Sequence, residues 1–425
     1  MSILKKIKNF FLQVITTDKK INEPVIISRS EHNISRKNIS RHVLKVLYTL
    51  KDHGFQSYLV GGGVRDLLLN KSPKDFDIAT NAYPEKIKKL FKHCYIIGRR
   101  FQLVHVYFDK KVVEVATFRA NHNGKNSKEG MILRDNVYGN IEQDAMRRDF
   151  TINALYYNIV DYSLVDYVGG LQDLHAKQVC VIGDPITRFR EDPVRMLRAV
   201  RFAAKLDFTI HPDTAKPIYT LGHLLLNISP ARLYDEYVKL FFTGHPVESL
   251  KLLKDYQLLS ILFPSLNHKN SNKNSDNFII YGVKDIENKT FSPQELKPGY
   301  LIAIFLWYSM LRLAKDDIIN KKIAVFLAYK NAADQLLFEQ NKIISISKKL
   351  MIFIKDIWLL QVKLAKIVGK PGKRADKLME SVKFSIAFDF LLLRAAFGDK
   401  KAQKISRWWH KYLVTKNKTQ NIANI

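Results

Sequence analysis

Residues 58–80, YLVGGGVRDLLLNKSPKDFDIAT, most constrain what this chain can fold into. Three apolar residues precede three consecutive glycines, which allow a sharp turn and a close approach of backbone N–H groups to a phosphate. The next residues, 64–69, predict a helix, so the turn also lies at a positively polarised helix N-terminus. The segment therefore predicts a strand, a glycine turn, a short helix, a polar loop and a second strand.

Two aspartates, Asp75 and Asp77, lie two residues apart in this predicted second strand. Side chains at positions i and i+2 of a strand point to the same face, so the two carboxylates are expected to be neighbours. Like charges that close repel unless a cation neutralises them. Mg²⁺ is the predicted cation, because it prefers carboxylate oxygens together with substrate phosphates, and Mn²⁺ could replace it. A glycine turn or an Asp pair alone is usually a loop, but the combination predicts nucleotidyl transfer.

Composition points to a large, basic protein. The 425 residues are 47% hydrophobic, enough for two or three domains. Lys and Arg number 69 against 40 Asp and Glu, and the resulting net charge of +29 predicts a polyanionic partner, with nucleic acid ahead of an anionic membrane surface. The two cysteines favour a reducing compartment over a disulfide framework, and the longest apolar run, 300–311, is too short to span a bilayer. We therefore expect a cytoplasmic protein without a transmembrane segment.

The order of patterns predicts an α+β fold. We expect a basic N-terminal arm over residues 1–35, an α+β head over 36–182, a helical neck over 183–245, a helical body over 246–412 and a short polar tail over 413–425. In the head, the β-branched runs 94–97, 103–108 and 112–117 predict adjacent strands. In the body, Trp408 and Trp409 stand among basic residues, as in a stacking platform for RNA. Paired tryptophans more often belong to a buried core, which is the favoured interpretation.

Glu114 interrupts the last of these apolar runs. An acidic residue inside a core strand is costly unless it is paired or binds a metal. Glu114 could be a third metal-binding carboxylate facing Asp75 and Asp77, or it could form a salt bridge with Lys111 or Arg119. The sequence favours both interpretations equally.

Two further charged groups are candidate parts of a site. Arg147, Arg148 and Asp149 precede a strand predicted to begin near Ile152; guanidinium groups suit triphosphate oxygens, and an aspartate can hold a ribose hydroxyl or a metal. Over 190–206 the period predicts one amphipathic helix with Asp192 one turn before Arg195. A carboxylate beside a guanidinium can bind the edge of a base, although such a pair alone is usually a helix salt bridge.

These segments together resemble one family. LVGGGVRDLLL, PKDFDIATNA, VEVATFR, RRDFTINALYY, DYVGGLQDL and REDPVRMLRAVRFAAKL resemble the bacterial poly(A) polymerases, which are related to the class II CCA-adding tRNA nucleotidyltransferases within the DNA polymerase beta superfamily. The likeness runs from about residue 25 to residue 412. It implies a polymerase-beta-like nucleotidyltransferase head with a mixed sheet, followed by an all-α neck and an RNA-binding body.

The resemblance also implies roles for individual residues. Asp75 and Asp77 would bind two Mg²⁺ ions, with Glu114 or Asp149 as the third carboxylate, and Asp149 would belong to the active site. In the nucleotide-binding set, the glycines, Arg65 and Arg147 would hold the triphosphate, Asp192 and Arg195 would select the base, and Arg198 would bind the nucleotide. That set is Gly61, Gly62, Arg65, Arg147, Asp192, Arg195 and Arg198.

The activity implied is template-independent addition of AMP from ATP to single-stranded RNA 3′ ends, with release of pyrophosphate, in mRNA polyadenylation that promotes RNA turnover. A monomer is expected, with proteins of RNA degradation or RNA chaperones as partners. The alternatives are a CCA-adding enzyme and a catalytically inactive RNA-binding protein. Residues 96–106, IIGRRFQLVHV, match the basic signature of the poly(A) polymerases. The loop 121–130 looks shorter than usual and a long Arg/Pro-rich C-terminal tail is missing, which puts auxiliary RNA or partner contacts in doubt.

Overall fold

A computed structural model describes residues 23–98, 102–109, 111–120, 127–128, 131–132, 137–267, 273–288 and 294–423. The chain divides into two compact units, Met1–Leu221 and Gly222–Ile425. This division falls inside the predicted neck, so the predicted limits at 182 and 245 stay a prediction.

The first unit is built around a mixed eight-stranded sheet, which confirms the α+β class. Its order is β1-β10-β9-β2-β3-β6-β5-β4. Every neighbouring pair is antiparallel except β3 and β6, which are parallel. The strands are β1 Val25–Ile27, β2 Ser57–Val60, β3 Asp77–Thr80, β4 Cys94–Ile97, β5 Leu103–Phe108, β6 Lys111–Thr117, β9 Leu155–Asn158 and β10 Leu164–Asp166.

Short strand pairs lie outside this sheet: β7 Ser127–Lys128 with β8 Met131–Ile132, and β11 Gln178–Val179 with β12 Thr209–Ile210. The helices of the first unit are α1 Arg41–Asp52, α2 Gly62–Leu68, α3 Pro84–Leu90, α4 Ile141–Arg147, α5 Gly170–His175, α6 Pro185–Glu191, α7 Val194–Leu206 and α8 Pro212–Leu221.

Helices cover one face of the sheet at its β4–β6 end. Helix α1 packs on β2 and β6, and α3 packs on β4 and β5. The valines at alternate positions of β5 and β6, Val104, Val106, Val113 and Val115, are at most 3% exposed. Because side chains alternate along a strand, the residues between these valines point to the other face.

The second unit is helical. Its helices are α9 Pro230–Phe242, α10 Pro246–Asp255, α11 Leu258–Leu262, α12 Lys273–Asn288, α13 Lys297–Asn320, α14 Val325–Ile343, α15 Lys348–Ile367, α16 Lys373–Met379, α17 Phe384–Ala396 and α18 Lys400–Ala423. The apolar run 300–311 lies within α13 and is mostly buried, as expected of a core helix. Across the described ranges, no helix has the length and apolar character needed to cross a membrane.

Trp409 belongs to the core of this unit, as the sequence favoured. It is 0% exposed, and its indole N–H donates to the carbonyl oxygen of Leu364 at 3.1 Å. Trp408 packs beside it and stacks on Tyr412, with ring centroids 5.2 Å apart.

The structure describes secondary structure in both the predicted arm and the predicted tail. Within the predicted arm, Val25–Ile27 form an edge strand that pairs with β10. Three residues are too few for an alternating pattern to show in a sequence. The predicted polar tail is helical, because α18 continues to Ala423. Lysine and glutamine are good helix formers even where no apolar pattern is visible, and Lys416 also pairs with Asp376 at 2.8 Å.

Candidate active site

The glycine turn lies between β2 and α2 and opens directly onto Asp77. Gly61 has φ +78°, a backbone conformation that strains any residue with a side chain. A Cβ atom at Gly61 would lie 3.3 Å from Asp77 Oδ2 and 3.8 Å from Arg148 Nη1. A Cβ atom at Gly62 would lie 3.4 Å from Arg65 Nη2. The missing side chains therefore keep open a space that Asp77 and Arg148 border.

Gly63 holds the segment before β3 in place, a role that sequence reasoning missed. A Cβ atom there would lie 3.0 Å from the ring of Phe76 and 3.3 Å from the carbonyl oxygen of Asp75. The antiparallel pairing of Val60 with Asp77 fixes the same region from the strand side. The third glycine thus contributes by close packing, next to the two aspartates.

The strand register brings Glu114 beside Asp77. Asp77 is the first residue of β3, and its partner in the parallel strand β6 is Glu114. Asp75 precedes the strand, which corrects the prediction that both aspartates lie within it. Among the described residues Glu114 pairs with His105, at 3.4 Å between Oε1 and Nε2, and not with Lys111 or Arg119. Of the two interpretations of Glu114, the register favours the third carboxylate.

The acidic group is electrostatically unfavourable without a cation. Partial desolvation raises the pKa of Asp77, and the negative charges of Glu114 and Asp75 raise it further, while Arg148 opposes them. The side chain still reaches solvent. A bound cation would remove the repulsion that these three carboxylates exert on one another.

These residues fit a magnesium ion. Their donors are carboxylate oxygens, and the glycine turn leaves the space beside Asp77 Oδ2 open. The described part of the chain contains no preassembled cluster of three or more His, Cys, Asp or Glu ligands. Mg²⁺ does not need one, because it commonly uses one or two carboxylates, water and the phosphates of the substrate.

Arg147 lies in a cluster of positive charge. Burial lowers the pKa of Arg147 to about 9, and repulsion from neighbouring arginines adds to this shift. Those neighbours are Arg119, Arg148, Arg188 and Arg195. An anion such as a phosphate would stabilise the charged form of Arg147, because opposite charge and hydrogen bonds favour it.

Arg148 belongs to the arginine doublet that the sequence analysis singled out, although only Arg147 was given a role. Its guanidinium donates to Asp144 Oδ2 from Nε at 3.1 Å and from Nη2 at 2.9 Å, and Nε also donates to the hydroxyl of Tyr156 at 2.9 Å. The Tyr156 hydroxyl in turn donates to Asp144 at 2.7 Å. These bonds fix Arg148 beside Gly61 and Asp77. The arginine doublet carried the signal, but nothing in it distinguished the second arginine from the first.

Arg65 is buried and paired within the fold. It is 2% exposed, and its Nε and Nη2 donate to Asp66 Oδ1 at 2.9 and 2.6 Å. Its Nη1 donates to the side-chain oxygen of Asn153 at 2.6 Å. The guanidinium thus ties α2 to the turn Thr151–Asn153 that precedes β9.

Asp149 is paired with an arginine of helix α7. Arg198 donates to Asp149 Oδ2 from Nε at 2.7 Å and from Nη2 at 2.5 Å. Burial alone would raise the pKa of Asp149, but the charge and hydrogen bonds of Arg198 hold it below its usual range. Arg198, predicted to bind nucleotide, and Asp149, predicted to be catalytic, therefore meet in one ion pair.

Asp192 and Arg195 do not share a helix, which corrects the predicted continuous helix over 190–206. Helix α6 ends at Glu191 and α7 begins at Val194, with Asp192 in an extended conformation at the break. Pro193 explains the break, because proline disfavours a helical conformation in the residue before it. Arg195 pairs with Glu191 at 3.0 Å. Met196, Val200 and Ala203 form a buried stripe along α7.

One residue, Arg188, joins this helical region to the arginine doublet. Arg188 of α6 donates from Nη2 to the backbone carbonyl oxygens of Arg147 and Arg148, both at 2.6 Å. Its Nη1 pairs with Glu191 at 2.7 Å, the residue that also pairs with Arg195. The backbone of the doublet is thereby fixed to the segment that leads into Asp192. The sequence analysis did not select Arg188.

Three family models match successive parts of the chain. The "Poly A polymerase head domain" matches residues 57–180, and the "Probable RNA and SrmB- binding site of polymerase A" matches residues 207–269. The "Polymerase A arginine-rich C-terminus" matches residues 321–424. In this last stretch lysines greatly outnumber arginines, which are Arg374, Arg394 and Arg407.

Solved structures of CCA-adding enzymes share the fold. An apo form has a TM-score of 0.64 at 18% identity, covering 92% of this chain and 86% of that one. The Thermotoga maritima CCA-adding enzyme complexed with tRNA has a TM-score of 0.62 at 19% identity, with the same coverage. At these identities the likeness concerns the fold alone.

Sequence relatives are closer. Poly(A) polymerase I of Salmonella typhimurium is 43% identical over 96% of this chain and 91% of its own length, and that of Haemophilus influenzae is 42% identical over 91% and 87%. The CCA-adding enzyme of Bacillus pumilus is 35% identical, but over only 58% of this chain and 60% of its own length. Identity that extends through both units distinguishes the two groups, and this chain belongs to the bacterial poly(A) polymerase family.

Proposed function

We propose that this protein adds AMP from ATP to the 3′ ends of RNA without a template and releases pyrophosphate. One observation carries the proposal: an acidic group that a cation would stabilise and the fixed guanidinium of Arg148 border the same glycine turn. Arg148 belongs to a cluster of positive charge that includes Arg147, the residue before it. ATP with bound Mg²⁺ supplies both charges.

Asp75, Asp77 and Glu114 would hold two Mg²⁺ ions, for which Mn²⁺ could substitute, and the bound metal would lower the pKa of the RNA 3′ hydroxyl and neutralise triphosphate charge. No protein nucleophile is required. Arg147 would bind the triphosphate, while Arg148, fixed by Asp144 and Tyr156, keeps positive charge beside the glycine turn.

The other predicted site residues have different proposed roles, according to what each of them contacts. Gly61 and Gly62 leave room for the triphosphate. Arg65 acts as a positioning residue, because its guanidinium is buried against Asp66 and Asn153. Asp149, held by Arg198, would face the ribose or base as a fixed acceptor and not as a metal ligand.

Asp192 and Arg195 would select the adenine edge. The break at Pro193 leaves Asp192 outside either helix, and Glu191 orients Arg195. A carboxylate acceptor and a guanidinium donor at such a break could bind the edge of an incoming base. Arg188 fixes this segment to the arginine doublet, so base selection and triphosphate binding would share one framework.

The biological setting belongs to the same proposal. We expect single-stranded RNA ends as acceptors, tailing that promotes mRNA turnover, a monomeric enzyme and a cytoplasmic location. Cys94 and Cys180 are both free thiols, which agrees with a reducing compartment. The model that matches residues 207–269 is described as a probable RNA and SrmB binding site, which supports RNA and one protein partner at this segment. Proteins of RNA degradation or RNA chaperones remain part of the proposal.

The test is nucleotide incorporation by the purified chain with Mg²⁺, a short RNA and a tRNA lacking its terminal nucleotides, with each NTP supplied separately. A growing ladder with ATP alone is the expected result. Efficient use of CTP, with a stop after the tRNA end is restored, would identify a CCA-adding enzyme instead. RNA binding without incorporation of any nucleotide would identify an inactive RNA-binding protein.

A further inference from the structure

A row of four side chains crosses the sheet beside the proposed metal site. Tyr95 of β4 is paired with His105 of β5, His105 with Glu114 of β6, and Glu114 with Asp77 of β3. Directly paired residues on neighbouring strands project from the same face of a sheet. The row therefore runs continuously from a tyrosine on the edge strand to a proposed metal-binding aspartate.

Aromatic rings cluster at the far end of this row. Tyr107 follows His105 by two residues on the same face, and its ring centroid lies 6.4 Å from that of His105. The rings of Tyr95 and Tyr107 meet edge to face, with centroids 5.6 Å apart and planes at 80°. Tyr95 is nevertheless 63% exposed. A large part of its aromatic surface is therefore available to a ligand.

The same face exposes aliphatic residues as well. Ile97 is 41% exposed and Val112 is 45% exposed, whereas the valines that point to the opposite face are buried. β5 and β6 are interior strands of the sheet, so this exposure is not a property of an edge alone. A contiguous exposed apolar surface of this kind marks an interaction site.

We propose that this face, formed by Tyr95, Ile97, His105, Tyr107 and Val112, binds the last nucleotides of the RNA acceptor by stacking their bases on Tyr95 and Tyr107. The inference rests on the proposed function, because the row places the terminal ribose near Asp77. Stacking on aromatic rings is tolerant of sequence, which suits an enzyme that must accept any RNA and then its own product.

The chemistry of the face favours RNA bases over the ATP substrate. None of its five residues is a lysine or arginine, whereas a triphosphate needs cations, and those are gathered around Arg147. His105 serves as a positioning residue, because its contact with Glu114 connects the stacking surface to the acidic group. The face therefore receives the acceptor, and the arginine cluster receives the nucleotide.

The test uses the full chain and an RNA that carries 2-aminopurine at its 3′ terminal position, whose fluorescence falls when the base stacks. We compare Tyr95→Ala/Tyr107→Ala with Tyr95→Phe/Tyr107→Phe, which keeps the rings, and with Ile26→Ala, an apolar residue that is 62% exposed on β1 at the opposite end of the sheet. Each variant is first checked for a native melting transition. The binding measurement contains no ATP, so it reports on the face even if AMP transfer does not occur.

We expect the double alanine variant to lose the quenching and to bind RNA at least about tenfold more weakly, since one stacked base contributes on the order of 1–3 kcal/mol. The KM for RNA should rise by a similar factor, with kcat at saturating RNA and the KM for ATP unchanged. The phenylalanine and Ile26 variants should behave as the parent does. Unchanged quenching in a folded double alanine variant would overturn the proposal, and so would an increase in the KM for ATP, which would place the nucleotide on this face.

Discussion

At the scale of single residues, Asp77 and Arg147 each occupy surroundings that disfavour their own charge. Nearby carboxylates and desolvation raise the pKa of Asp77, and burial among arginines lowers that of Arg147. Groups with perturbed pKa values are frequent at functional sites, because a bound ligand of opposite charge can supply the stabilising partner that the protein does not provide. The free protein thus stores unfavourable electrostatic energy that the nucleotide and its metal would release.

The substitution Asp77→Asn should abolish activity without lowering the stability of the fold. We expect AMP incorporation to fall to background, because the proposed metal site loses a charged ligand. In metal-free buffer the variant should melt at a slightly higher temperature than the parent, because the substitution removes repulsion from Glu114 and Asp75. The gain should not exceed about 1 kcal/mol, since the side chain remains open to solvent. Differential scanning calorimetry with and without Mg²⁺ measures it, and a lower melting temperature in metal-free buffer would contradict the repulsion.

The raised pKa of Asp77 also sets a direction for pH dependence. A carboxyl group with a raised pKa takes up a proton at higher pH than an ordinary aspartate, and the proton competes with the metal. As pH falls from about 8 to about 5, the Mg²⁺ concentration for half-maximal activity should therefore begin to rise at a higher pH than it would for an aspartate of ordinary pKa. In Glu114→Gln, where one source of repulsion is gone, the midpoint of this rise should move to lower pH. A midpoint that stays in place would exclude Glu114 as a cause.

The closeness of Asp77 to the glycine turn was predictable, because the strand, turn and helix pattern brings the two together. Their roles stay a prediction. The contacts of Arg65, Arg148 and Asp149 were not predictable, since pairing depends on partners far away in the sequence, such as Asn153 for Arg65 and Arg198 for Asp149.

At the scale of elements, the strands at 94–97, 103–108 and 111–117 were predictable because alternation and β-branched residues persist over several positions. The break at Asp192 was missed although Pro193 marks it, because the apolar period continues through Val194 into α7. The strand expected near Ile152 begins at Leu155, after one turn of 3-10 helix. Residues 99–101 of the predicted basic signature lie outside the described residues, as does most of the loop 121–130.

A glycine of helix α5 packs closely against the turn that follows the arginine doublet. A Cβ atom at Gly170 would lie 2.2 Å from the carbonyl oxygen of Thr151, two residues after Asp149. Gly170→Ala should therefore displace this turn and destabilise the protein by about 3 kcal/mol. Urea unfolding measures the loss.

The neighbouring Gly169 provides the matched control. It has φ +79° but no atom within 4 Å of its Cβ position, so Gly169→Ala introduces backbone strain without a clash. Its cost should be near 1 kcal/mol. Equal destabilisation by both substitutions would show that the contact of α5 with Thr151 is unimportant.

At the scale of the whole molecule, the net charge of +29 should govern RNA binding. For an acceptor that contacts about five phosphates, a fourfold increase in salt should weaken binding about a hundredfold, because each neutralised phosphate of a single strand releases counterions with a slope near −0.7. Binding measured by anisotropy over a series of KCl concentrations gives this slope. Shorter acceptors should give a smaller slope, and a slope near zero for a long acceptor would show that the charge serves another purpose.

The parallel pairing of β3 with β6 has a consequence for how the protein is made. A parallel pair cannot close through a hairpin, so helix α3 and strands β4 and β5 must intervene between Asp77 and Glu114. The complete set of acids therefore does not exist on the ribosome until β6 has emerged and docked. A divalent cation that needs all of these carboxylates would bind only the folded sheet. It would therefore raise the free energy of unfolding but would not assist the earliest steps of folding.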